Sequence, residues 1–425
     1  MPSSDAGIVH IIGAGLAGLA AAVRLSAAGR AIVVHEAAGQ AGGRCRSYYD
    51  HVTGMVIDNG THLLLSGNHA ALDYLAAIGA SDMLEGPAEA EFCFVDLANL
   101  ARWKIQISSG AIPWWIFDKN RRVPETKLRD YWPLARLMWR SGDKPLSELM
   151  PCSGPLYDRL IEPLFLAALN IEPLHGSGEL AARLLRETLA IGGKACRPLI
   201  APEGIGHAFI APALRTLRER GIEVVLQHPL HALRFDGDRV VAIDFGEDII
   251  GLKDEDSVIL AVPAYGATAL VPNLTAPGAF RSIVNAHFRI DPPVDFRRMI
   301  GVVNGTSEWI FALPGRIAVT VSDAGELLDM PRAELAAKIW HEVAAVTGLP
   351  DRLPPWQIVR ERRATFAATP EENAKRPGPV TKWRNLILAG DWTATGLPAT
   401  IESAVRSGHR AAELTETRGT WTRAA

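Results

Sequence analysis

Three glycines, Gly13, Gly15 and Gly18, follow the β-branched run Ile8 to Ile12 and open an alanine-rich stretch of helical period that continues to Ala28. Strand, tight turn and helix in that order turn free backbone N–H groups and the positive end of a helix dipole toward a phosphate. Gly13 permits the turn, Gly15 lets the backbone approach a pyrophosphate, and Gly18 allows close packing of helix on strand. The next apolar run, Ala31 to His35, ends on Glu36, 18 positions after the third glycine, where a carboxylate can accept hydrogen bonds from both hydroxyls of a ribose. All three glycines and the acid are in register, so the chemistry read here is dinucleotide binding.

The elements that must position these residues are spread along the chain. Strand-like runs return at Gly221 to Leu226, Arg239 to Ile243 and Val258 to Pro263, and are expected to rejoin the first sheet; a last run, Asn385 to Asp391, leads into a helix over about 399–414. Between them the character changes. Trp103, Trp114, Trp115, Trp132 and Trp139 are five of the eleven tryptophans, and residues 101–144 hold ten Lys/Arg against four Asp/Glu, a local excess of +6. The expected fold is α/β: a discontinuous Rossmann-type domain from residues 1–90, 200–275 and 380–425, interleaved with a mixed α+β second domain from 91–199 and 276–379.

Composition narrows the function. A chain of 425 residues has room for two or three domains. With 44 Lys+Arg against 47 Asp+Glu, a formal net charge of -3 and 48% apolar residues, its overall field attracts neither nucleic acid nor a membrane, so basic surface has to be local. Cys45, Cys93, Cys152 and Cys196 are spaced for neither a zinc knuckle nor a CxxC redox pair. No metal site is expected, and a reducing cytoplasm is the simplest setting. The N-terminus has no positive leading region, and Ile8 to Leu25 is interrupted by glycines and a histidine, so neither a signal peptide nor a membrane span is expected.

Further strings carry a resemblance. Gly39-Gln40-Ala41-Gly42-Gly43-Arg44, just past Glu36, resembles the flavin amine oxidase and phytoene desaturase superfamily, in which paired glycines and an arginine lie against the FAD pyrophosphate; a planar guanidinium matches phosphate oxygens. Leu388-Ala389-Gly390-Asp391-Trp392 and the run to Gly408 are similar to that superfamily's C-terminal flavin motif, and His228-Pro229-Leu230 to its adenine-contacting segment. Within the superfamily, Ile57-Asp58-Asn59-Gly60-Thr61-His62, Pro163 to Asn170 and Gly390 to Pro398 resemble the hydroxysqualene dehydroxylases, squalene-associated flavoenzymes of bacterial hopanoid synthesis.

What the resemblance implies is specific. It implies an amine oxidase-like two-domain architecture and an FAD site drawn from Gly13, Gly15, Ala17, Gly18, Glu36, Ala37, Gly43, Arg44, Asn59, Gly60, Thr61, Leu230, Gly390, Asp391, Pro398, Ala399, Thr400 and Ile401. Asp391 would hold the ribityl or pyrophosphate region, and the Ile401 amide would face the pyrimidine edge. No cysteine follows Cys196, so the FAD is expected to be non-covalent. The implied reaction is delivery of hydride from reduced FAD to an allylic carbon of hydroxysqualene, giving squalene and water. Hydroxide leaves poorly, so an acid is needed; His62, expected before the flavin, and Glu172, on the turn after the apolar helix, are the candidates. A long-chain isoprenoid has to come from a bilayer, and segment 101–144 suits peripheral contact with the cytoplasmic membrane face. Three alternatives stay open: a carotenoid-type desaturase, an amine oxidase with Trp392 as one wall of an aromatic cage, and a non-enzymatic prenyl-lipid binding protein of the same fold.

Overall fold

β1 (Val9–Ile12), α1 (Leu16–Ala27) and β2 (Ile32–His35) form a strand, helix, strand unit at the start of the computed structural model, which describes residues 7–139 and 142–421. Residues 1–6, 140–141 and 422–425 lie outside the described residues; they include the ends of the N- and C-terminal segments and part of the basic segment read above. β1 is buried along its whole length because parallel strands flank it on both sides. It pairs with Ser257–Leu260 on one edge and with β2 on the other. The sheet continues to Leu386–Leu388 beyond the first and to Val224–Val225 beyond the second, every pair parallel. Strands from both halves of the chain therefore meet in one five-stranded sheet, and the ends of β1 and Leu386–Leu388 lead into the two glycine-containing turns.

The run at Arg239 does not rejoin that sheet. Arg239–Asp244 is the middle strand of a separate three-stranded antiparallel sheet, between Ala232–Asp236 and Ile249–Gly251. The two-residue connection Gly237-Asp238, with Gly237 at φ 56°, folds the chain straight back on itself and commits it to an antiparallel neighbour.

A seven-stranded mixed sheet forms the second layer system, in the order Trp356–Phe366, Phe280–Phe288, Arg316–Val321, Trp309–Leu313, Met299–Val303, Glu91–Asp96 and Arg102–Gln106. Successive side chains of a strand point to opposite faces, and the core divides accordingly. Val284, Ala286, Ile310, Ile317 and Val319 pack under the helix Arg332–Thr347, against Leu335, Ile339 and Trp340. Trp309, Phe311, Leu313 and Ala318 face the other way, toward Tyr157, Leu160 and Phe165 of a helical layer. Asn285 and Thr320 share that second face, and it is the face that confronts the glycine turns.

α1 is held against the C-terminal helix Ile401–Trp421 by a backbone approach that only glycine allows. A Cβ on Gly408 would lie 2.2 Å from the carbonyl oxygen of Ala17 and 3.0 Å from the Cβ of Ala20. Gly408→Ala is therefore expected to destabilise the protein by about 1–3 kcal/mol, the usual result of overpacking, lowering the melting temperature by several degrees. Gly251→Ala, where a Cβ meets nothing within 4 Å, serves as the control; equal melting temperatures for the two variants would mean that the two helices are not in tight contact.

Candidate functional site

The first turn is shaped as a cradle for phosphate. Gly13 adopts φ 104° and its N–H donates to the carbonyl of His35 at 2.7 Å. A Cβ on Gly18 would fall 1.9 Å from the Gly13 carbonyl oxygen, whereas one on Gly15 would meet nothing within 4 Å. The turn is thus tight behind and open in front. Among the described residues the amides of Ala17 and Gly18, at the N-terminus of α1, find no acceptor, leaving donors for an anion. Glu36 braces this loop, its two carboxylate oxygens accepting from the amides of Ala14 at 2.8 Å and Ala38 at 2.9 Å. Each oxygen keeps a second lone pair for a ribose hydroxyl. The carbonyl of Glu36 accepts from His228 at 2.9 Å, which draws the half-buried Leu230 segment to the same edge; Ala37 is exposed beside it.

Arg44 joins the two ends of the chain. Gly42 and Gly43 take φ 110° and 55°, the left-handed region that glycine adopts without strain, and turn the following 3-10 helix so that the Arg44 guanidinium meets Asp391 at 2.7 Å. A second N–H of Arg44 donates to the carbonyl of Ala364. Burial alone would lower the arginine's pKa, but the Asp391 carboxylate outweighs it and raises the value, so the cation is firmly held. The guanidinium is enclosed by protein, yet 39% of the side chain is uncovered: it faces an internal hollow. Asp391 is buried, at the end of Leu386–Leu388. The preceding Gly390, at φ 144°, leaves room for the Trp392 indole and donates to Ser407 Oγ at 2.8 Å.

The second helix N-terminus closes the far side. Thr400 Oγ1 accepts from the Ser403 amide at 3.1 Å and the Thr400 carbonyl from Ala404 at 3.0 Å. Among the described residues the amides of Ile401 and Glu402 have no acceptor, so this end too presents donors, next to the half-buried Ala399 and the buried Pro398. Between the two helix ends runs the segment Asn59-Gly60-Thr61-His62. Asn285 fastens it to the second sheet, donating to the Asn59 carbonyl at 3.3 Å and accepting from the Thr61 amide at 3.2 Å. Asn59 Nδ2 donates to Glu361 at 3.2 Å. His62 lies 3.8 Å from the Cys45 sulfur.

These positions correct three expectations. His62 sits in the hollow, but burial, reinforced by Arg44, lowers its pKa to about 4, so at neutral pH the ring carries no imidazolium proton to give. Glu172 stands away from the hollow: its side chain is 56% exposed and lies 3.6 Å from His175. Trp392 is no cage wall, since its ring is buried and its Nε1–H donates to the Val262 carbonyl at 2.9 Å. The structure also shows residues that the motifs do not. Arg376 donates to the carbonyls of Asp391 at 3.1 Å and Thr393 at 2.5 Å, and to Thr395 Oγ1 at 3.0 Å; it lies over the Phe366 ring and holds the Gly390–Gly396 loop in shape. Its only sequence signal is a lone arginine before Pro377.

With this geometry in view, the comparisons with known proteins are informative. Residues 16–415 match the sequence pattern of the flavin containing amine oxidoreductases. The chain is 56% identical over 407 residues to a hydroxysqualene dehydroxylase of Rhodopseudomonas palustris, covering 96% of this chain and 97% of that one. It is 53% identical to a hydroxysqualene dehydroxylase of Sinorhizobium fredii (96% and 97%) and 44% identical to one of Zymomonas mobilis (96% and 98%). Among solved structures it is similar in fold to a cyclohexylamine oxidase from Brevibacterium oxydans, TM-score 0.70 at 15% identity, covering 97% of this chain and 99% of that one. It is likewise similar to a redesigned putrescine oxidase, TM-score 0.70 at 16% identity, with the same coverage.

The neutral histidines around the site set an acid limit. Burial lowers His35, His62 and His287 to about 4 each, His35 further through its histidine neighbours and the other two through nearby arginines. Each takes up a proton on unfolding once pH falls below the unfolded value of 6.5. Their stabilising effect is whole above that pH and is lost as pH drops toward 4, at about 2 kcal/mol per histidine by pH 5. Thermal melts should show the melting temperature falling by several degrees between pH 7 and pH 5; a constant value would mean that these rings are protonated in the folded protein.

Proposed function

The chain belongs to the family of flavin-containing amine oxidoreductases, and we propose that within it the protein catalyses the reductive dehydroxylation of hydroxysqualene to squalene with non-covalent FAD. The observation that supports this most is the end-to-end match to three hydroxysqualene dehydroxylases at 44% to 56% identity. Reduced FAD, when bound, supplies the hydride that replaces the departing hydroxyl.

The protein's own residues supply the rest. The amides of Ala17 and Gly18, with Arg44, are suited to the pyrophosphate; Glu36 and the Leu230 segment to the ribose and adenine; and the Ile401 amide, at a helix N-terminus, to the electron-rich edge of the reduced ring. Cys45 is the cysteine beside Arg44, and burial pushes its thiol up to about 12. It stays protonated, a poor nucleophile, which favours non-covalent retention. Trp309, Phe311, Leu160 and Phe165 line an apolar interior, where water is kept from an allylic cation. His62, as a neutral imidazole, shapes this hollow beside Arg44.

A squalene-sized substrate has to leave a bilayer to reach such an interior. Ile112, Trp114, Phe117, Leu128, Trp132 and Trp139 are large apolar side chains left exposed, Trp139 at 87% and Trp132 at 66%, within the segment that carries the +6 excess. Tryptophans favour the headgroup level and basic residues are attracted to anionic lipid. We read this as peripheral docking on the cytoplasmic membrane face, and among the described residues no helix is long and apolar enough to cross a membrane.

Two measurements check this reading. Anaerobic mixing of dithionite-reduced holoprotein with hydroxysqualene is expected to reoxidise the flavin and yield squalene in equal amount; an inert reduced protein that is instead oxidising toward a polyene or an amine would overturn the direction. The protein is expected to co-sediment with anionic vesicles and to be released as salt rises and the Debye length shrinks to about 8 Å at 0.15 M. Equal partition onto neutral and anionic vesicles would remove the electrostatic part.

A further inference from the structure

We propose that the cleft behind the glycine turn at Gly42 binds an amphiphilic anion, a phosphate head on an apolar stem. The cleft measures about 680 Å³, within the range of small-molecule sites. It lies between the hairpin of strands Ser47–Asp50 and Met55–Asp58, the helix Ala211–Glu219 with the turn before it, and the Pro314-Gly315 turn of the seven-stranded sheet. These walls are fixed by contact. The Gly206 amide donates to Ser47 Oγ at 2.8 Å, and a Cβ on Gly206 would fall 2.5 Å from that oxygen. A Cβ on Gly42 would stand 3.1 Å from Ile210, so one wall is the reverse side of the loop that carries Arg44. Neither Arg44 nor Gly13, Gly18, Glu36 or Ile401 lines the cleft; it is separate from the flavin cradle.

Three arginines, Arg46, Arg289 and Arg316, line it. Phe288 pairs with Ile317 in antiparallel register, which sets Arg289 directly opposite Arg316 with both side chains on one face. Like charges so placed destabilise a sheet, and an anion between them removes that cost. Arg316 is buried but loosely paired: Nη2 lies 3.4 Å from the Pro202 carbonyl and 3.7 Å from Asp58, and Nε finds no acceptor among the described residues. Asp58 is itself engaged by Ser47 and the Ile205 amide. Arg289 donates to the Thr53 carbonyl at 3.1 Å and Arg46 to the Gly43 carbonyl at 2.8 Å, so both spend their charge on neutral oxygens. Glu203, exposed at the rim, is the one carboxylate of the lining. Three guanidiniums against one carboxylate suit a doubly charged phosphate monoester.

The rest of the lining calls for a stem. Ile210 and Leu214, four residues apart on one helical face, and Met55 and Val56 of the hairpin are apolar, a surface that an inorganic ion leaves uncovered. A stem that covers it gains about fourfold in affinity for each methylene fully buried. A membrane phospholipid such as phosphatidic acid and a free alkyl phosphate share this chemistry. The cleft is also joined to the flavin hollow through one segment: the Asn59 amide donates to the Arg46 carbonyl at 3.0 Å, and the preceding Asp58 faces Arg316.

Calorimetric titration of the holoprotein with hexyl phosphate tests the site, with inorganic phosphate and hexanol as the two partial ligands. Hexyl phosphate is expected to bind once per chain and at least about tenfold more tightly than either part, since the head meets the arginines and the stem the apolar wall. Arg289→Gln is expected to weaken it about tenfold or more, and Glu203→Gln, which removes the one opposing charge of the lining, to tighten it. Both residues are exposed, so both variants should keep flavin and the wild-type melting temperature. A second arm separates the two sources. Wild type re-isolated after incubation with phosphatidic acid vesicles carries one lipid per chain, and Arg289→Gln none, where the membrane supplies the ligand; wild type that binds hexyl phosphate but comes away free of lipid points to a free metabolite in the same site. No binding of hexyl phosphate, or binding that Arg289→Gln and Glu203→Gln leave unchanged, would overturn the proposal. Inorganic phosphate binding as tightly as hexyl phosphate would overturn the amphiphilic assignment.

Discussion

The ion pair between Arg44 and Asp391, at 2.7 Å across 347 positions of sequence, is the constraint on which the site depends. It can form only if the N-terminal glycine turn and the last strand of the parallel sheet end at the same place, as they do with only Ser257–Leu260 between β1 and Leu386–Leu388. Both partners face protein rather than bulk water, so each would be costly to leave unpaired. Arg376 adds to the constraint by taking the carbonyls of the loop that follows Asp391. The two helix N-termini, at α1 and at Ile401, are then held in fixed relation, with Gly408 letting the helices touch.

From that closed junction the division of labour follows. The parallel sheet and its turns offer amides, a cation and a carboxylate, the groups suited to a dinucleotide. The seven-stranded sheet offers one face to its own helix and the other to the hollow, and polar residues are few on that second face. Asn285 and Thr320 are consumed in holding the Asn59 to His62 segment. Asp58 is another buried polar residue held in place: it accepts from Ser47 and from the Ile205 amide and faces Arg316 at 3.7 Å.

Parts of this were legible in the sequence because they are statements about backbone. Gly13, Gly18, Gly42, Gly43 and Gly390 stand where positive φ or close approach excludes a side chain, and such positions write themselves into the sequence as glycine. The run at Ser257 to Leu260 reads as a central parallel strand because it is apolar throughout, as a strand buried on both faces must be. Arg239 to Asp244 is nearly as apolar, but the Asp-Gly-Asp before it is a hairpin signal, and that signal outweighs the resemblance to a parallel strand. Arg376 and Asn285 could not be found this way. Each is a single polar residue in an unremarkable stretch, and its importance comes from what the tertiary fold places or fails to place beside it. The same reason explains His62: its type and position were readable, its protonation was not, because burial beside Arg44 is a property of the folded chain.

The central claim is that one ion pair joins the two ends of the chain into a single flavin cradle, and a double-mutant cycle on flavin affinity tests it most directly. Flavin dissociation constants would be measured for wild type, Arg44→Met, Asp391→Asn and the double variant. The account predicts that each single change weakens binding at least tenfold and that the double variant is little worse than the weaker single, a coupling of about 1–3 kcal/mol. Losses that simply add would mean that Arg44 and Asp391 meet the flavin independently, and that the junction is not what builds the site.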